Sequence, residues 1–64
     1  MPYAVIYMKA GRSESQKRDL VKAVTDAFTS TIGAPAQAVH VLINDLPEEN
    51  IGHGGILFKD GLRK

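Results

Sequence analysis

The chain has 64 residues, 44% of them hydrophobic, and its eight basic and seven acidic side chains give a formal net charge of +1. A chain of this length forms one domain, residues 1–64. Because its charges nearly balance, it has neither the basic surface that binds nucleic acid nor a polybasic patch for membrane binding. The absence of cysteine excludes disulfides and thiolate metal sites. Because there is also no membrane-spanning run and no signal peptide pattern, we expect a cytoplasmic protein that binds neither membrane nor nucleic acid.

The chain opens on an apolar run in which proline is the second residue. Residues 2–8 are predicted to form a strand that is apolar on both faces. Removal of Met1 normally succeeds before a residue as small as proline, and it would leave Pro2 with a secondary amine. An amine is a base, whereas an internal proline nitrogen is an amide, so Pro2 is a candidate for proton transfer. Alternatively, Pro2 only begins a strand, where its missing N–H costs nothing.

A long helix is predicted from Glu14 to Ile32. Ser13 and Gln16 have the spacing of a capping box at its start. Gly33 suits the position just after the helix, and Pro35 prevents its continuation. The apolar stripe of the helix comprises Leu20, Val21, Val24, Ala27, Phe28 and Ile32.

A second strand is predicted at residues 39–44, so that strand, helix and strand form a β-α-β unit with parallel strands. The glycines of residues 51–58 suit a tight hairpin. The predicted fold class is therefore α/β, a single β-α-β unit with a C-terminal hairpin. A two-stranded sheet with one helix is not stable alone, so we expect an obligate oligomer in which subunits pair into a four-stranded sheet.

In this order and spacing, the segments resemble 4-oxalocrotonate tautomerase-type proteins of the tautomerase superfamily over nearly the whole chain. The matching pieces are Pro2, Gly11-Arg12-Ser13, Gly33-Ala34-Pro35, the second strand and Ile51-Gly52-His53-Gly54-Gly55. In proteins of that kind the N-terminal proline is the general base that shuttles a proton within an enol or dienol acid. The resemblance therefore implies a cofactor-free keto-enol tautomerase with Pro2 as catalytic base and a small keto or enol acid as substrate. It also implies a homo-oligomer, with a hexamer favoured and a hetero-oligomer as the alternative.

The resemblance also assigns substrate-binding residues. Arg12 matches the arginine that holds a substrate carboxylate, a task suited to the paired donors of a guanidinium, although a solvated turn arginine is the alternative. His40 stands where the best-studied members carry a second arginine that stabilises the developing enolate. It is either a partial substitute or a strand histidine at a subunit interface. Ile51 replaces the aromatic residue of the apolar wall near the proline. A metal site is not predicted, since His40 and His53 lack a third ligand.

Two further functions stay open. A related hydratase, dehalogenase or decarboxylase would use a protonated proline as an acid or to direct water addition. The sequence has no obvious extra carboxylate for activating water, although Glu48 and Glu49 remain candidates. A non-catalytic or partner-dependent subunit is the other alternative. The missing second arginine favours it, whereas the presence of Pro2 and Arg12 opposes it.

Overall fold

The computed structural model describes residues 1–62 and contains a β-α-β unit followed by a hairpin. Strand β1 (Tyr3–Lys9), helix α1 (Glu14–Ile32) and strand β2 (His40–Leu46) form the unit, and β1 pairs with β2 in parallel. Strands β3 (Gly52–His53) and β4 (Ile56–Leu57) form the antiparallel hairpin. This confirms the predicted fold class. Within residues 1–62 no helix has both the length and the apolar character needed to cross a membrane.

Helix α1 begins and ends at the predicted residues because its termini are specified locally. The Ser13 hydroxyl accepts a hydrogen bond from the Gln16 N–H at 3.1 Å, and the Gln16 side chain accepts one from the Ser13 N–H at 2.9 Å. At the other end Gly33 has a φ of 72°, a conformation that costs glycine little. A side-chain cap of this kind stabilises a helix by about 1 kcal/mol.

The two faces of the β1-β2 sheet differ in their exposure. The alternate residues Ala4, Ile6 and Met8 of β1, with Val41 and Ile43 of β2, are half-buried. On the opposite face, Tyr3, Val5 and Tyr7 are 60%, 55% and 69% exposed. We call this second face the open face; it consists of Tyr3, Val5, Tyr7, His40, Leu42 and Asn44.

The described part of one chain lacks a closed core. Among residues 1–61 none is fully buried, and large apolar side chains of the open face meet solvent. Exposed apolar patches of this kind mark surfaces where other molecules bind. A chain of this length therefore has little to hold it together as a monomer, as expected from the sequence.

The segment that follows β2 returns to the end of β1. The backbone N–H of Phe58 donates to the carbonyl of Ile51 at 2.7 Å. The Lys9 ammonium lies 5.0 Å from the centre of the Phe58 ring and 3.3 Å from a carboxylate oxygen of Glu48. Residues Phe58–Leu62 then form an irregular turn with non-helical backbone angles at Gly61. The hairpin and its flanks are thus held at the end of the sheet where β1 and β2 finish.

Candidate active site

Pro2 and His40 lie side by side where both parallel strands begin. The backbone N–H of His40 donates to the carbonyl of Pro2 at 2.9 Å, and His40 stands opposite Tyr3 in the strand register. Pro2 is half-buried, while the His40 side chain belongs to the open face. The fold therefore brings the sequence-predicted base and the sequence-predicted histidine to one edge of the molecule.

The ladder of hydrogen bonds between β1 and β2 reaches Pro2 but does not involve Met1. Strand β1 begins at Tyr3, and the first interstrand hydrogen bond is accepted by the Pro2 carbonyl. Met1 is 76% exposed. Removing Met1 would convert the Pro2 nitrogen from an amide to an amine without breaking that bond, so the amine would start from a fixed position.

The imidazole of His40 has two partners that orient it. Its ring stacks on the ring of Tyr3, with centroids 4.8 Å apart and planes 16° from parallel. Its Nδ1 atom is 3.2 Å from the carbonyl oxygen of Ala38. The pairing of Tyr3 with His40 depends on the strand register, which no local sequence pattern predicts. Tyr3 is thus a site residue that sequence reasoning missed.

Arg12 lies at the opposite end of the sheet from Pro2. Seven residue steps separate Pro2 from Lys9, which at a strand rise of about 3.3 Å corresponds to roughly 23 Å. Gly11, with a φ of 123°, then makes the turn that leads through Arg12 into α1. An ion pair between Lys17 of α1 and Asp45 of β2 holds the start of the helix beside the far end of the strands. The Arg12 side chain is exposed there.

Ile51 also lies away from Pro2. It follows the 3-10 turn Glu48–Asn50, just beyond the end of β2, and its carbonyl accepts the hydrogen bond from the Phe58 N–H. Its side chain is half-buried. A single chain therefore separates the four predicted site residues into two pairs, with Pro2 and His40 at one end of the sheet and Arg12 and Ile51 at the other.

Glu48 and His53, the other candidates named from the sequence, lie away from the end of the sheet that carries Pro2. Glu48 pairs with Lys9 at 3.3 Å, at the end of the sheet that carries Ile51. His53 is exposed in β3, where it stands opposite Ile56. Within residues 1–62, no three His, Asp or Glu side chains are grouped so that they could hold a metal ion.

Known proteins of one family match this chain along almost its whole length. Residues 2–61 match a family model described as "Tautomerase enzyme". The 2-hydroxymuconate tautomerase of Comamonas testosteroni is 47% identical over 60 residues, which are 94% of this chain and 95% of that protein. A solved structure of the 4-oxalocrotonate tautomerase isozymes from Methylibium petroleiphilum is 44% identical with a TM-score of 0.87, covering 98% of this chain and 100% of the other. A heterohexamer 4-oxalocrotonate tautomerase from Chloroflexus aurantiacus is 30% identical with a TM-score of 0.86, covering 95% and 98%.

Proposed function

This chain belongs to the tautomerase family, and on that basis we propose that Pro2 is the general base of its keto-enol tautomerase activity. The resemblance inferred from the sequence is thereby confirmed. The observation that carries the assignment of Pro2 is its position: the first residue of the ladder, fixed through its carbonyl by His40 and followed by a continuous strand. A free α-amino group titrates slightly above neutral pH, which suits a base that must both take and return a proton.

The reaction needs only proton movement. In a 2-hydroxydienoate, the Pro2 amine takes the hydroxyl proton, and the O–H bonding electrons form the carbonyl. The displaced π electrons then take the proton back from the proline ammonium at the conjugated carbon. The chain ends the cycle as it began, with no oxidant or cofactor consumed. Because a relative of high identity is named 2-hydroxymuconate tautomerase, we assign this chain to the same substrate class, small 2-hydroxydienoates or related enolisable keto acids.

Arg12 and Ile51 join Pro2 through a second copy of the chain. The roughly 23 Å between Pro2 and Lys9 are too far for one substrate of six carbons to bridge. A two-fold axis normal to the sheet makes neighbouring strands antiparallel, and so places the start of one sheet beside the far end of the other. Arg12 of one copy can then bind the carboxylate of a substrate held at Pro2 of the other, while Ile51 supplies an apolar wall.

The open face supports a larger assembly than this pair. Pairing edge to edge completes a four-stranded sheet but leaves the open face uncovered on both copies. Its exposed apolar side chains favour further association, and one relative is described as a heterohexamer. We therefore favour a homohexamer, with a hetero-oligomer as the alternative. We also propose a cytoplasmic location.

The test measures the ketonisation of 2-hydroxymuconate through the change in its ultraviolet absorbance. The protein used is one whose mass shows that Met1 has been removed. Pro2→Ala leaves a primary amine and should retain a small part of the activity. A form with one residue added before Pro2 has an amide at that position and should be inactive, although its assembly by native mass spectrometry should be unchanged. Full turnover by the extended form would refute the role of Pro2. Turnover that appears only after a second protein is added would identify a partner-dependent subunit.

A further inference from the structure

We propose that Lys9 is a positioning residue of the active site, whose ammonium fixes Ile51 through the side chains of Glu48 and Phe58. The inference rests on the proposed function, in which Ile51 supplies an apolar wall beside Pro2 of another copy. It concerns how that wall is held in place, and Lys9 acts on the reaction only through it.

The backbone of Ile51 is bonded on both sides. Its N–H donates to the Glu48 carbonyl at 3.3 Å, and its carbonyl accepts a hydrogen bond from the Phe58 N–H at 2.7 Å. The first bond belongs to a single 3-10 turn, and the second extends a hairpin whose strands have two residues each. Elements this short have little stability of their own, so the position of Ile51 depends on contacts with the rest of the chain.

Lys9 contacts the side chains of the same two residues that bond to the Ile51 backbone. Its Nζ atom lies 3.3 Å from a carboxylate oxygen of Glu48 and 5.0 Å from the centre of the Phe58 ring. An ammonium is attracted both by a carboxylate and by the face of an aromatic ring within about 6 Å. One cation therefore joins the turn before Ile51 to the residue that extends the hairpin after it.

Lys9 itself is fixed by the parallel sheet. It stands opposite Leu46 in the register, and the N–H of the next residue, Ala10, donates to the Leu46 carbonyl at 2.8 Å. Strand alternation puts its side chain on the same face of β1 as that of Tyr7, which is 69% exposed, whereas Lys9 is half-buried. The chain's own C-terminal segment covers the sheet at this point, and Lys9 connects the sheet to the segment that carries Ile51.

Hydrogen exchange of the Phe58 amide measures how firmly Ile51 is held, because that amide donates to the Ile51 carbonyl. Lys9→Met keeps an unbranched apolar side chain but has no charge. Loss of a partly exposed ion pair and a cation–π contact should speed this exchange by roughly three- to tenfold in the assembled protein. Lys22→Met is the matched control, since Lys22 is exposed on α1 and pairs with Asp26 at 3.1 Å, and it should leave the exchange unchanged.

Activity on 2-hydroxymuconate tests whether Lys9 acts through Ile51. Lys9→Met should lower kcat/KM by about two- to tenfold, since the contacts that it loses can contribute no more than that. Lys9→Arg should stay within about twofold of wild type, because a guanidinium also pairs with a carboxylate and stacks on an aromatic ring. In an Ile51→Ala background the wall is already missing, so adding Lys9→Met should cost less than about twofold.

Three results would overturn the role of Lys9. The first is wild-type exchange of the Phe58 amide in Lys9→Met, and the second is faster exchange with unchanged kcat/KM, which would make Lys9 a purely structural residue. The third is a loss that adds in full to that of Ile51→Ala, since Lys9 would then act elsewhere.

A second variant keeps the test decisive if native mass spectrometry shows that Lys9→Met does not assemble. Phe58→Leu removes the ring but keeps an apolar side chain and the backbone N–H, and it should show faster exchange at residue 58 and a lower kcat/KM. Wild-type values of both quantities in that variant would overturn the inference. A processed wild-type chain that does not turn over 2-hydroxymuconate overturns the proposed function instead, while the exchange rates still decide whether Lys9 holds Ile51.

Discussion

Replacing Tyr7 with alanine should weaken assembly without touching the groups around Pro2. Tyr7 lies in the open face, 69% exposed in the single chain, and it is five residues along β1 from Pro2. If a neighbouring subunit covers this face, the phenol ring moves from water into an interface. Truncation to alanine then removes most of that burial in every subunit.

The expected magnitude follows from the exposed area. An aromatic side chain buries roughly 150–250 Å², so covering the 69% that is exposed removes about 100–170 Å² from water. At about 25 cal/mol per Å², this corresponds to roughly 3–4 kcal/mol per subunit as an upper value, since the hydroxyl is polar. A loss of about 3 kcal/mol raises a dissociation constant by more than about 100-fold.

Sedimentation across a concentration series measures this change. Wild-type protein should remain assembled at micromolar concentration, whereas Tyr7→Ala should dissociate and lose activity on dilution. Lys22→Ala is the matched control, because Lys22 is exposed on α1 and its pairing with Asp26 at 3.1 Å is worth well under about 1 kcal/mol. A Tyr7→Ala protein that dissociates at the wild-type concentration would show that the open face is not an interface. A folded wild-type monomer at micromolar concentration would refute the whole argument.

Three further changes test the site and the helix. For the processed enzyme, kcat/KM should rise with pH through one ionisation near or below that of a free α-amino group, and a pH-independent rate would exclude Pro2 as base. Arg12→Ala should raise KM for acidic substrates and cost about 2–4 kcal/mol in kcat/KM, while Arg18→Ala, which removes an equal charge from the first turns of α1, should leave kcat/KM unchanged. Ser13→Ala removes the side-chain acceptor of the Gln16 N–H and should lower the unfolding free energy, measured by urea titration, by about 1 kcal/mol. An unchanged unfolding free energy would contradict this role of Ser13.

The helix could be predicted to the residue, and the strands could not. Ser13, Gln16 and Gly33 specify the ends of α1 through contacts within a few residues of each other. The ends of a strand depend on its partner: the ladder continues until the Ala10 N–H donates to the Leu46 carbonyl at 2.8 Å. Strand β2 therefore extends two residues beyond the predicted end at Asn44, and both strands begin one residue later than predicted.

The candidate site was predictable as a set of residues but not as an arrangement. Pro2 and His40 are 38 positions apart in sequence, and only the parallel register places one beside the other. The same topology puts Arg12 at the far end of β1, although it is closer to Pro2 in sequence than His40 is. The stack of Tyr3 on His40 also depends on that register, which no local pattern in either strand specifies.

The separation of Pro2 from Arg12 within one chain has a genetic consequence. If every site takes these two residues from different copies, an allele that has lost Pro2 and an allele that has lost Arg12 can complement each other. In a mixed pair one site is doubly defective and the other is intact, so random mixing in equal amounts restores about a quarter of the sites. Duplicated genes could then diverge, with one product keeping the base and the other keeping the anchor, and each would depend on coexpression with its paralogue.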